Sequence, residues 1–171
     1  MSSSSRMSVK TILVAALAGS VGGCIQPLYN SLGPGGLESE LQSIKVEPIP
    51  DRFGHYVEKE LRFAFNGTGA EVAPKYRLVV SLKQRVQAPV IDTVTARATA
   101  ATVVGDASYE LFVIGKTEPI IQGIAFSVAS YDRFSQRISN VRAARDAETR
   151  DAKTIAEQIR TQIAARMAAR N

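Results

Sequence analysis

The chain has 171 residues, with 21 lysines and arginines against 16 aspartates and glutamates, for a formal charge of +5 at pH 7. It contains one histidine, one cysteine and no tryptophan, so a His-based metal site or a Ser-His-Asp or Cys-His catalytic arrangement has almost no residues to be built from. No glycine-rich nucleotide-binding motif occurs, and the mild basic excess does not indicate nucleic acid as a partner. The composition therefore predicts a protein without enzymatic activity, metal or cofactor.

The N-terminal segment has the layout of a secretory signal peptide. Arg6 and Lys10 precede an apolar run from Ile12 to Val21, and the first acidic residue is Glu38. A run of about ten apolar residues is too short for a membrane-spanning helix, which needs ~20. We expect residues 1–23 to be removed, with Met7 as an alternative start to Met1.

The only cysteine, Cys24, follows two glycines at the end of this segment. The sequence Val21-Gly22-Gly23-Cys24 resembles a bacterial lipoprotein box, whose cysteine receives fatty acyl chains such as palmitate. The resemblance implies lipidation at Cys24, and two or more acyl chains anchor a protein stably to a membrane. Ile25 replaces the aspartate that retains such lipoproteins at the inner membrane, which implies outer-membrane delivery. The alternative is an ordinary leader with an incidental buried cysteine.

Residues 24–40 are rich in proline, glycine and serine, which is typical of a flexible tether. The remainder, residues 41–171, is the size of one domain. It begins with a short strand around Ile44 and Val46. Prolines follow this strand and limit its pairing, so it belongs at an edge or end of a sheet. The next apolar stripe predicts a helix over 52–65.

Strict alternation over residues 75–86 predicts a long strand with one apolar and one basic face. Further strands are predicted over 99–114, with a break near Gly105, and over 120–131. In the last of these, larger apolar residues lie on one side and small residues on the other. The basic face of the first long strand consists of Lys75, Arg77, Lys83 and Arg85. The larger apolar residues of the last strand are Ile120, Ile124, Phe126 and Val128.

The C-terminal segment, residues 141–169, contains neither glycine nor proline and has small apolar residues at helical spacing. Its numerous arginines and acids predict a solvent-exposed charged surface. The order of elements predicts an α+β fold, with a four-stranded, mainly antiparallel sheet and two helices on one face. The other face of the sheet carries the cations. Solvent exposure is the simplest interpretation of that basic face, and binding of an anionic ligand is the alternative.

The residues that carry a family resemblance extend over nearly the whole chain after the leader. They are Cys24 with Pro27-Leu28-Tyr29, Ile44-x-Val46, Ile49 with Asp51-Arg52, Tyr76-Arg77-Leu78, Arg97, Tyr109-x-Leu111, Ser130-Tyr131, and Asp146-Ala147-Glu148-x-Arg150 followed by Ala156, Ile159 and Ile163. In order and spacing these residues are similar to the LPS-assembly lipoprotein family, LptE. The Ile25-Gln26 pair departs from the Gly-Phe that often follows the cysteine in the family.

This resemblance implies an outer-membrane lipoprotein on the periplasmic side. Members of the family plug the LptD-type β-barrel, help it assemble and contact lipopolysaccharide on its way to the outer leaflet. No binding residue carries over by motif. We take Arg77, Lys83, Arg85 and Arg97 as candidate lipopolysaccharide-binding residues because they are basic and are expected at or near one strand tip.

Two other classes of protein fit parts of the sequence. An accessory periplasmic lipoprotein of another envelope lipid-transport system also has an anchor and an α+β domain. A carboxylate-based hydrolase needs two acids that converge in a pocket. The scattered acids do not indicate such a pair, which makes the enzyme the weaker interpretation; they are Glu58, Glu60, Glu110 and Glu118.

Overall fold

The computed structural model describes residues 36–67, 72–92 and 97–170, with the side chains of residues 88–92 and 97–98 left out of the description. The predicted signal peptide, the predicted lipidation site at Cys24 and most of the predicted tether lie outside the described residues. The elements in chain order are α1 (Leu37–Gln42), β1 (Ile44–Val46), α2 (Asp51–Asn66), β2 (Tyr76–Asp92), β3 (Arg97–Val113), β4 (Pro119–Asp132) and α3 (Arg137–Ala168).

The strands form one sheet in the order β1-β2-β3-β4. β1 runs parallel to β2, whereas β2, β3 and β4 form an antiparallel meander. The predicted α+β class with a four-stranded, mainly antiparallel sheet is therefore confirmed. The predicted break in the second long strand is wrong, because β3 continues through Gly105, which stays paired with Gln84 and Ser127.

The two long helices cover one face of the sheet, which we call the inner face. α2 contributes Phe53, Val57 and Leu61 to the core, and α3 contributes Ile155, Ile159 and Ile163. Alanines between these isoleucines let α3 lie close to the strands. At 32 residues and ~1.5 Å per residue, α3 extends along most of the sheet. The sheet residues beneath the helices include Leu78, Val80, Ala107, Tyr109, Leu111 and Ile121.

Helix α1 is not predicted by the sequence, because it is short and adjoins a segment rich in glycine and proline. Its Leu37 and Leu41 are fully buried. Glu40 accepts hydrogen bonds from Lys75 at 2.8 Å and from the Tyr76 hydroxyl at 2.6 Å. Burial, together with this bond, raises the pKa of Tyr76 to about 12. The end of the predicted tether thus belongs to the folded domain.

Candidate functional site

The face of β2, β3 and β4 opposite the helices, which we call the outer face, carries three of the four predicted site residues, Arg77, Lys83 and Arg85. The antiparallel register places side chains of the three strands next to one another, in lines that run across the sheet. The three central cross-strand lines are Arg85, Val104 and Val128; Lys83, Asp106 and Phe126; and Ser81, Ser108 and Ile124. Cations therefore lie on β2, and larger apolar side chains lie on β4.

The structure separates the four candidate cations along the sheet. Arg77 pairs with Phe112 near the start of β2, whereas Lys83 and Arg85 lie in its middle. Arg97 pairs with Asp92 at the opposite end of the sheet, and its side chain lies outside the described residues. The expectation of a shared strand tip is wrong. Because β2 has 17 residues at ~3.3 Å each, the candidates form a line rather than a cluster.

Two of these cations already have contacts with neighbouring side chains. The Arg85 guanidinium lies 3.2 Å from a carboxylate oxygen of Asp106, and both side chains are exposed. The Arg77 guanidinium lies 4.5 Å from the centre of the Phe112 ring, a cation–π contact. Lys83 has no ion pair within the described residues. Exposed ion pairs contribute little stability, so Arg85 remains open to a stronger anionic partner.

The apolar side chains of β4 point away from the core. Ile124, Phe126 and Val128 are 75%, 52% and 50% exposed. Small residues take the inner positions of β4 because α3 lies directly over them. Ile120, predicted on the same side as the others, instead packs against the core. The register shift between Leu111 and Phe112 accounts for this change in alternation.

Side chains of α3 close the free edge of β4. The Gln158 amide donates to the Phe126 carbonyl at 2.9 Å and accepts from the Phe126 N–H at 3.1 Å. Four helical residues rise ~6 Å and two strand residues ~6.8 Å, so helix positions four apart match carbonyls two apart. The other donors to β4 carbonyls are Gln162 to Ile124, Arg166 to Gln122, Arg170 to Ile120 and Arg150 to Ser130.

These side-chain bonds from α3 to the β4 backbone, which we call the ladder, show that the α3 arginines do not only face solvent, contrary to the sequence-based prediction. Arg150, Arg166 and Arg170 satisfy backbone carbonyls that otherwise form an open sheet edge. An open edge accepts a strand from another chain, and covering it is a common protection against such pairing. β4 is therefore accessible to a partner through its outer face and not through its edge.

A buried acid, Asp151, lies beneath the middle of the sheet. It is fully buried, and neither carboxylate oxygen has a hydrogen-bond partner within the described residues. A Cβ atom at Gly105 would lie 2.7 Å from Asp151 Oδ2, so glycine gives this side chain its space. Burial raises the pKa of Asp151, and the Ser127 hydroxyl, which lies near the carboxylate without hydrogen-bonding geometry, opposes this only in part.

The raised pKa of Asp151 predicts a pH-dependent stability. The folded protein retains this proton over a pH range in which the unfolded chain, with a pKa of about 3.9, has lost it. Stability therefore falls as pH rises from about 4 through the raised folded pKa. We expect Asp151→Asn to stabilise the protein at pH 7 by roughly 1–3 kcal/mol and to change it little near pH 4.

Urea unfolding at a series of pH values measures this difference. Asp146→Asn, on the exposed surface of the same helix, is the matched control and should show no such gain. A variant Asp151→Asn that is less stable than the wild type at pH 7 would mean that a partner holds the carboxylate.

The remaining acids provide no metal site within residues 36–67, 72–92 and 97–170. No three His, Cys, Asp or Glu side chains in this part of the chain are placed to hold a metal ion. Glu58 lies 2.8 Å from Arg62 and accepts the Ile49 N–H, both structural roles. Of the described helices, none is long and apolar enough to cross a membrane.

Comparisons with known proteins place the fold. No family model and no curated protein matches the chain. Among solved structures, a protein of Caulobacter crescentus assigned as a lipoprotein matches with a TM-score of 0.64 and 20% identity, over 77% of this chain and 96% of that one. A minor lipoprotein of Acinetobacter baumannii matches with a TM-score of 0.51 and 12% identity, over 72% and 90% of the two chains.

A third structure, rare lipoprotein B of Shewanella oneidensis, has a TM-score of 0.50 and 12% identity, over 74% of this chain and 95% of that one. All three neighbours are described as lipoproteins of bacteria. The chain therefore has the α+β fold of these bacterial lipoproteins.

Proposed function

We propose that the protein is an outer-membrane lipoprotein, anchored through acyl chains on Cys24, with its domain on the periplasmic side. In this role it plugs and helps assemble an LptD-type β-barrel and assists lipopolysaccharide delivery to the outer leaflet. The LptE-like residues of the sequence suggest this role, and the fold shared with bacterial lipoproteins supports it. The observation that carries the proposal is a sheet face left open to a partner while the adjacent edge is closed.

The outer face suits contact better than catalysis. It carries cations on β2 and exposed apolar residues on β4, and no group of three acids within the described residues is placed there to hold a metal ion. A surface of this kind complements a phosphorylated lipid or an acidic barrel lumen. An accessory lipoprotein of another envelope lipid-transport system is the alternative, and it does not require a barrel partner.

Alanine at Arg77, Lys83, Arg85 and Arg97 tests the ligand part of the proposal. We expect lipopolysaccharide binding to weaken roughly tenfold or more, because about 1.4 kcal/mol corresponds to a factor of ten and each charge-assisted contact contributes on this scale. Lys83 should contribute to the loss at least as much as Arg85, because an anion that contacts Arg85 must first displace Asp106. Binding is measured by titration of the purified full chain.

The matched control removes four exposed cations from the helices, with alanine at Lys59, Arg142, Arg145 and Lys153. It makes the same change in net charge away from the outer face. Circular dichroism checks that both variants keep the fold. Equal binding by the two quadruple variants would remove these cations from the proposed site.

A further inference from the structure

We propose that Ile124, Phe126 and Val128, the apolar row, hold acyl chains of an anionic amphiphile whose charged groups contact Lys83 and Arg85. The inference rests on the proposed function, because it divides the lipid named there between two strands of the outer face. The apolar residues of β4 thereby have a binding role in addition to that of the cations of β2.

The register places the two parts of this surface side by side. Lys83 and Phe126 belong to one cross-strand line, with Asp106 between them. Arg85 and Val128 belong to the next line, with Val104 between them. Neighbouring strands lie ~4.8 Å apart, so the cations and the apolar row are about 10 Å apart. Val104 is 6% exposed and forms an apolar floor between them. A molecule with an anionic group next to hydrocarbon chains matches this arrangement.

The apolar row faces solvent because of how β4 is held. The α3 ladder fixes the backbone of Phe126 from the edge side, through both its N–H and its carbonyl. The inner positions of β4 are occupied by small residues under the helix. Its larger side chains are therefore held on the outer face, where neighbouring exposed apolar residues are typical of an interaction site.

The cations alone have a simpler explanation. β1 pairs with β2 only from Tyr76 to Leu78, so Lys83 and Arg85 lie on a stretch of β2 that β1 does not cover. Charged residues on such an edge discourage pairing with other chains. This explanation does not extend to the apolar row, which lies on the strand whose edge is already closed. The presence of the two cations and the apolar row on one face therefore favours an amphiphile as the ligand.

Substitution of Asp106 tests whether the bound ligand is anionic. Asp106 lies between the cations and the apolar row and holds Arg85 at 3.2 Å. An anionic ligand must compete with this carboxylate and is repelled by it. Asp106→Asn keeps the size of the side chain and removes its charge. We therefore expect this variant to bind an anionic amphiphile about threefold or more tightly, which no loss of stability would produce.

The experiment titrates the full chain, immobilised through a C-terminal tag in non-ionic detergent, with two probes. One is hexa-acylated lipid A, and the other is its fully deacylated phosphorylated disaccharide. The test variant carries threonine at Ile124, Phe126 and Val128, all exposed strand positions that accept threonine. The control carries glutamine at three exposed apolar residues of the β4–α3 connection and α3, namely Phe134, Ile138 and Val141.

We expect the threonine variant to bind lipid A roughly tenfold more weakly and the disaccharide as the wild type does, while the control binds both normally. Unchanged lipid A binding by the threonine variant overturns the inference. It is also overturned if lipid A binding is unchanged and the variant alters only the oligomeric mass or the capture of a barrel protein, because the apolar row would then contact a protein. A wild-type chain that binds neither probe would instead contradict the ligand part of the proposed function. Circular dichroism and thermal unfolding confirm that the variants are folded.

Discussion

Gly123→Ala is expected to destabilise the protein by about 2–4 kcal/mol, although alanine normally suits a strand better than glycine does. Gly123 on β4 lies opposite Tyr109 on β3. A Cβ atom at Gly123 would lie 2.5 Å from the Tyr109 hydroxyl oxygen and 2.7 Å from Cζ. Tyr109 is 1% exposed, so its ring has little room to move. Its hydroxyl also donates to Gln162 at 2.8 Å, a bond that the displaced ring would lose.

Urea unfolding of a double-mutant cycle measures this coupling. Tyr109→Leu removes the ring, and in that background Gly123→Ala should cost less than about 1 kcal/mol. Additive effects of the two substitutions would show that the ring and the glycine do not compete for the same space. A Gly123→Ala variant as stable as the wild type would contradict the packing described for this pair.

Opening the edge of β4 is expected to have a second large effect. Leucine at Gln158 and Gln162 removes three side-chain bonds to the β4 backbone and the bond from Tyr109. At ~0.5–1.5 kcal/mol each, the loss of these four bonds should destabilise the protein by about 2–6 kcal/mol. The exposed carbonyls of β4 also become available to strands of other molecules, so the variant should aggregate with rising concentration.

Thermal unfolding and light scattering over a concentration series test both parts of this expectation. Leucine at Thr154 and Thr161 is the matched control, because it adds apolar surface to exposed positions of α3 without removing a bond to β4. The midpoint of the Gln158 and Gln162 variant should fall by roughly 10 °C, and only this variant should scatter increasingly. Identical behaviour of the two double variants would mean that the ladder does not protect the edge.

The sequence predicts the elements whose periodicity is strong. The alternation of residues 75–86 indicates β2, and the isoleucine and alanine spacing after Ala152 indicates the buried face of α3. Both signals are local, since each depends only on the spacing of apolar residues along one segment. The four-stranded, mainly antiparallel sheet follows from the short connections between successive strands.

The features of the outer face and the edge are not local. Gln158 and Gln162 resemble any solvated helix face until β4 is known to run beside them. The exposure of Phe126 depends on how close α3 approaches β4, which makes small residues the inner ones. Asp151 also looks like one more acid in a charged helix, and only the space beneath Gly105 explains its burial. A polar residue at every fourth position of α3 is the one sequence signal for the ladder.

The most direct test of the account is to purify the full chain through a C-terminal tag from envelope membranes of its native host. Mass spectrometry then identifies both the co-purified proteins and the N-terminal residue with its modification. We expect a mature chain that begins at an acylated Cys24 and a large outer-membrane β-barrel protein recovered with it. An N-terminus without fatty acid, or the reproducible absence of any barrel protein, would contradict the account.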